Sequence, residues 1–189
     1  REEFDGAALP PQWITPRNPP RQPWHRLGDG ALQVQARPVR LGDRANPSLL
    51  ALRQQHPHAS ASTALHFDPQ RDGDIAGLAA FQNEDYWYLL GLTVEGGVPV
   101  LVLDRRDGRH AGEPATGTRL ARRPLPKRAQ GAPLYLRIVA RGAQYDFEYA
   151  VREGQWQTLA RDVDGTVLST AVAGGFTGAV LGVYAGRAP

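Results

Sequence analysis

Leu134-Tyr135-Leu136-Arg137-Ile138-Val139-Ala140-Arg141-Gly142-Ala143-Gln144-Tyr145-Asp146-Phe147-Glu148-Tyr149-Ala150-Val151 is two alternating runs joined by a Gly-containing turn. Leu134, Leu136, Ile138 and Ala140 fall on one face of the first run, and Tyr145, Phe147, Tyr149 and Val151 on one face of the second. A two-residue loop at Gly142-Ala143 pairs Arg141 with Gln144, Val139 with Asp146 and Arg137 with Glu148. Every apolar residue then meets an apolar one, Ile138 facing Phe147 and Leu136 facing Tyr149. A slip by one residue would break the match on both faces, so the register is determined by the pattern alone.

The same period of two recurs outward from this hairpin. Leu32, Val34 and Ala36 alternate with Gln33, Gln35 and Arg37, and Ala59, Ala61, Thr63, Leu65 and Phe67 share one face, leaving His58, Ser60, Ser62 and His66 on the other. Ile75–Phe81 and Tyr86–Val94 are nearly continuous apolar runs separated by Asn83-Glu84-Asp85, as expected of central strands covered on both faces. Val98–Leu103 follows a turn at Glu95-Gly96-Gly97, and Trp156 and Leu159 continue after Glu153-Gly154. No stretch has a convincing helical period. About a dozen short strands punctuated by Gly, Pro and Asp turns read as an all-β chain, an antiparallel two-sheet β-sandwich.

The 189 residues fit one domain, 1–189, and 41% are hydrophobic, ordinary for a globular chain. No apolar run approaches the roughly 18–20 residues a bilayer-spanning helix needs, so no membrane partner is expected. With no Cys there is no disulfide or thiolate chemistry, a composition compatible with a bacterial cytoplasm, a periplasm or secretion alike. The start at Arg1 lacks a signal-peptide layout, and the chain has no Met, which leads us to expect a piece of something longer. Lys127 is the one Lys among 22 basic residues; the net charge of +3 is too small to argue for nucleic acid. The basic run from Arg105 to Arg128 has no interleaved aromatics on which bases could stack, and reads as an edge strand blunted by charge.

No catalytic residue is assigned. Asp146 and Glu148 share a strand face, as a glycosidase pair must share a cleft, but Arg137 opposite Glu148 makes it read as a solvent face with a cross-strand ion pair. The E-x-D-x-x-E strand signature of catalytic jelly-roll glycosidases is absent. Asp68–Asp74 does not match the spacing of a calcium loop and reads as a polar turn. His58 and His66 lie roughly 26 Å apart along one strand and cannot share an ion, so neither metal nor cofactor is expected. Trp13, Trp24, Trp87 and Trp156 are either sugar-stacking platforms or core, with Trp156 and one of Tyr86, Trp87 and Tyr88 assigned to the core. Phe176, in Ala173-Gly174-Gly175-Phe176-Thr177-Gly178, either projects from a glycine-flanked loop or tucks beneath it.

An ordered set of segments carries a resemblance. Phe4-Asp5-Gly6, Trp13, Arg17-Asn18-Pro19-Pro20 with Trp24, Arg53-Gln54-Gln55-His56, Ala76-Gly77-Leu78 through Phe81-Gln82-Asn83-Glu84, Tyr86–Gly91, and Leu168-Ser169-Thr170 through Gly178 span nearly the whole chain. Together they resemble the C-terminal concanavalin A-like domain of family 43 glycoside hydrolases of the β-xylosidase and arabinofuranosidase type. The resemblance implies a concanavalin A-like jelly roll packed on a five-bladed catalytic propeller that this chain does not contain. It implies that Phe176, flanked by Gly175 and Thr177, reaches the rim of that propeller's pocket. Similar domains have been classed as xylan-binding modules, which makes xylan or a xylo-oligosaccharide the expected ligand. In that second role the possible carbohydrate contacts are Arg17, Asn18, Trp24, Gln54, Gln55 and His56, with hydrogen bonds to xylan also expected from Asn83. The chain departs from the pattern in lacking a further aromatic-rich strand after Val183-Tyr184-Ala185, and in having the small residues Ala59 and Ala61.

Overall fold

A computed structural model describes residues 2–18, 20–126, 129, 131–175 and 178–188. Among them the strands are β1 (His25–Gly28), β2 (Ala31–Val34), β3 (Leu49–Arg53), β4 (His58–Leu65), β5 (Ile75–Asn83), β6 (Tyr86–Glu95), β7 (Val98–Asp107), β8 (Thr118–Pro124), β9 (Leu134–Arg141), β10 (Gln144–Ala150), β11 (Gln157–Asp164) and β12 (Val180–Gly186). A six-stranded sheet in the order β3-β12-β5-β6-β7-β8 faces a four-stranded sheet in the order β11-β10-β9-β4, and β1-β2 is a separate hairpin. The pairings within both sheets are antiparallel, as expected for the sandwich.

The register of β9 on β10 is the one the alternation requires: Arg141 opposite Gln144, Ile138 opposite Phe147, Arg137 opposite Glu148. Their apolar face closes on the six-stranded sheet. Leu78, Tyr88, Leu90, Leu101 and Leu103 from one side meet Leu134, Leu136, Ile138, Phe147 and Tyr149 from the other. Tyr88 and Phe147 pack with ring centroids 5.5 Å apart at 44°. Each such buried side chain contributes about 1.5–3 kcal/mol of apolar burial.

The six-stranded sheet is also covered on its outer face, which explains the unbroken apolar runs of β5 and β6. There Leu49, Ala79, Phe81, Trp87, Leu89, Val180 and Tyr184 form a second cluster under Leu41 and Ile14. The covering segment is stitched down by Ile14 bridging to Ala51 and by Tyr184 donating to the Val39 carbonyl at 3.0 Å. Trp24 anchors it, 3% exposed.

Several expectations are corrected. Trp156 precedes β11 and is only half-buried, lying under the Arg137 guanidinium at 4.1 Å rather than in the core. Asp146 does not face solvent: it is 7% exposed and is held by Arg141 Nη2 at 2.8 Å and the Asp162 N–H at 2.9 Å. A 3-10 turn at Gly165–Leu168 and a one-turn helix α1 (Thr170–Ala173) stand where no helix was read; Asp164 and Ser169 cap them. Trp87 and Tyr88 are both buried. The edge strand is as expected: β8 ends the larger sheet, with Arg119 and Arg122 on Glu95 and Arg119 on Asp104. In the Asp68–Asp74 turn, the Asp74 carboxylate accepts from the Gln70 and Arg71 N–H groups, which closes the turn.

Candidate functional site

The β5–β6 connection ends in a polar tip, Gln82-Asn83-Glu84, immediately after six buried residues of β5. Phe81 pairs with Trp87 but Asn83 pairs with Tyr86, so Gln82 is an extra residue in the ladder. Such a bulge re-aims side chains that strict alternation would send to opposite faces. Here Gln82 Nε2 donates to the Gly174 carbonyl and Asn83 Nδ2 to the Ala173 carbonyl, both at 3.1 Å. These carbonyls belong to the C-terminal end of α1, where helical carbonyls lack intrahelical partners. The tip itself is fixed by Asn83 Oδ1 accepting from the Asp85 N–H at 2.9 Å and by Trp87 Nε1 donating to the Glu84 carbonyl at 3.2 Å.

On the other side of the tip, Glu84 Oε1 meets Arg17 Nη2 at 2.5 Å. Between the Arg17 segment, the tip and the start of β12 lies a groove of about 430 Å³. Ile14, Leu41, Ala51, Phe81 and Val180 form its apolar floor, and Arg17, Arg53, Gln82, Asn83, Glu84 and Gly178 its polar rim. The Gln82 Oε1 atom is buried and accepts no hydrogen bond from the described residues. Its amide cannot be turned over to correct this, because the oxygen would then face the Gly174 carbonyl.

The residues singled out in the sequence distribute unevenly about this groove. Arg17 lines it, with Asn18 exposed beside it. Gln54 follows the groove residue Arg53 but does not line the groove: its N–H donates to the Ala179 carbonyl at 3.0 Å, its Nε2 to the His56 carbonyl at 3.0 Å, and its Oε1 accepts from the Tyr145 hydroxyl. Burial pushes the Tyr145 phenol above its ordinary range, so it stays a donor. Gln55 and His56 are exposed. Gly175 is exposed with φ 78°, next to Gly174 at φ 71°, a pair of left-handed positions that other residues adopt only with strain. Phe176 and Thr177 lie outside the described residues. Trp24 is packed inside the chain, its Nε1 on Asn46 Oδ1 at 2.9 Å and Arg37 over its ring at 5.3 Å, so the ring offers no open face to a sugar. Sequence reasoning named Asn83, both within a turn and as a group to hydrogen-bond xylan, and missed Gln82 and Glu84 as a site. The available signal was a polar triplet ending an otherwise apolar strand.

Two packed antiparallel sheets with a groove at one end of the larger define a sandwich of the concanavalin A-like kind. The family described as the beta xylosidase C-terminal concanavalin A-like domain matches residues 1–188, and the chain belongs to it. The chain is 26% identical over 158 residues to a xylosidase/arabinosidase of Butyrivibrio fibrisolvens, covering 82% of this chain and 28% of that protein. It is 25% identical over 192 residues to a non-reducing end α-L-arabinofuranosidase of Bacteroides ovatus, covering 98% and 33%. Among solved structures, a family 43 glycoside hydrolase retrieved from a capybara gut metagenome superposes with a TM-score of 0.87 at 29% identity, over 98% of this chain and 34% of that one. A xylan β-1,4-xylosidase from Bacillus halodurans gives 0.85 at 25% identity, over 98% and 35%. The chain thus spans about a third of the length of the proteins it resembles.

Proposed function

We propose that this chain is the non-catalytic accessory sandwich of a hemicellulose-degrading β-xylosidase or arabinofuranosidase. Its partner is a family 43 catalytic propeller, and the Gly175-Phe176-Thr177 loop forms the rim of that propeller's active-site mouth. The observation that carries this reading is the match of 188 of the chain's residues to one C-terminal domain family, within glycosidases about three times as long. In this role an aromatic side chain on the rim would contact a xylosyl or arabinosyl unit through its apolar C–H face and narrow the entrance.

The carboxylates of β10 agree with a non-catalytic role. Burial alone would raise the Asp146 carboxyl, but Arg141 and the Asp162 N–H more than offset it and hold it below its ordinary range. A glycosidase acid needs the opposite shift. Glu148 is engaged by Arg137 at 2.6 Å.

The test is steady-state kinetics on the complete gene product that includes the propeller. Phe176→Ala is expected to raise KM for xylotriose while kcat changes little, and this chain without the propeller is expected not to cleave an aryl xyloside. Equal KM values for Phe176→Ala and wild type would overturn the reading. A second reading, a free-standing xylan-binding module, is favoured by the apolar floor of the groove and the polar side chains of Arg17, Asn83 and Glu84 around it. Saturable heat on titrating this chain with xylohexaose, lost in Arg17→Ala, would select that reading.

A further inference from the structure

Two consecutive β5 side chains reach across to two consecutive carbonyls at the end of α1, although 90 and 92 residues separate them in the chain. Gln82 is 9% exposed, and its neighbours Phe81 and Trp87 are buried, so the donor is mounted on the core rather than on a mobile surface. The receiving segment is the opposite case. Gly174 and Gly175 both sit at positive φ with almost nothing packed where a Cβ would be, so among the described residues these two bonds and the helix cap define the direction in which the chain leaves α1. The Ser169 side chain holds the other end of α1, accepting from the Val172 N–H at 3.3 Å.

We infer that Gln82 and Asn83 are positioning residues for Phe176: through the Gly174 and Ala173 carbonyls they set the direction in which the chain leaves α1 at Gly175. This rests on the proposed role of Phe176. The bulge at Gln82 is the device that makes it possible, because a regular strand would send one of the two amides to the far face. The same tip holds Arg17 through Glu84, so both walls of the groove are referenced to one rigid point of the larger sheet.

Asn83→Asp and Gln82→Glu keep shape but replace an N–H donor by an oxygen that repels the carbonyl. Hydrogen exchange of the amides from Gly174 to Ala179 is expected to quicken by about tenfold in each variant. In the complete gene product KM for xylotriose is expected to rise toward that of Phe176→Ala with kcat largely kept, and Asn83→Gln, which keeps the donor, is expected to recover most of the loss. The double variant Asn83→Asp/Phe176→Ala is expected to be no worse than Phe176→Ala alone. A normal KM in Asn83→Asp and Gln82→Glu beside a raised KM in Phe176→Ala would overturn the positioning role while leaving the role of Phe176 intact. Additive losses in the double variant would overturn it too. A normal KM in Phe176→Ala would instead remove the reading on which it rests. Unchanged exchange in both amide variants would show that the bonds do not hold the segment.

Discussion

The Arg137 guanidinium lies 4.1 Å from the centroid of the Trp156 ring. The same guanidinium meets Glu148 at 2.6 Å, so one side chain covers an aromatic ring and closes a cross-strand ion pair. Arg137→Ala is expected to lower stability by about 1–2 kcal/mol and to shift Trp156 emission to the red. Lys in its place is expected to recover less than half, because a flat guanidinium can stack and pair at once and an ammonium cannot. Urea unfolding followed by fluorescence reads both outcomes.

Asp107 is fully buried and accepts from Arg109 through Nε at 2.9 Å and Nη2 at 2.6 Å. Those bonds hold its carboxyl below the ordinary range despite burial. A group depressed on folding stabilises above its unfolded value, about 3.9, and that contribution fades as pH falls through the folded value. Wild-type stability is therefore expected to drop steeply below about pH 4. Asp107→Asn should be less stable at neutral pH by about 1–3 kcal/mol and flatter in acid. Equal acid slopes would contradict this assignment.

Gly77 and Gly182 sit where neighbouring strands crowd the backbone. A Cβ on Gly77 would lie 2.0 Å from the Leu90 carbonyl oxygen, and one on Gly182 would lie 2.2 Å from that of Leu50. Backbone in a central sheet cannot step aside as a side-chain tip can. Either Gly→Ala change is expected to cost about 3 kcal/mol, seen as a fall in Tm.

Trp24→Phe separates packing from ligand contact. It removes the bond to Asn46 and weakens the Arg37 contact, so a loss of about 1 kcal/mol in urea unfolding is expected. Because Trp24 does not line the groove, KM for xylotriose in the complete gene product is expected to stay at the wild-type value.

The parts of the fold most legible in the sequence are those where two faces had to agree at once. The Leu134–Val151 hairpin has one workable register, and the structure has it. The β5 and β6 runs said that both faces were covered, and the segment around Leu41 and Ile14 does the covering. Isolated residues were less legible. Trp156 reads as core by size alone, because only the folded register puts Arg137 above it. The helical turns from Gly165 to Ala173 are too short to show a period, and their only trace is the capping pair Asp164 and Ser169. Of the candidate site, the glycine-flanked loop and Arg17 were visible. Gln82 was not, since a bulge is a property of the pairing between strands rather than of either strand.

The place of β12 between β3 and β5 has a consequence for synthesis. Residues 49–53 find their main partner only in residues 180–184, the last part of the sheet to leave the ribosome. Until then β5 has one edge bare and β3 has only the Ile14 bridge, two strand edges open to any other extended chain. Strands β5 to β8 can add one after another at the rim, but β3 joins the larger sheet only when its final strand enters between β3 and β5. A nascent chain halted before Val180 is thus not a sandwich with a trimmed edge but one split through its middle.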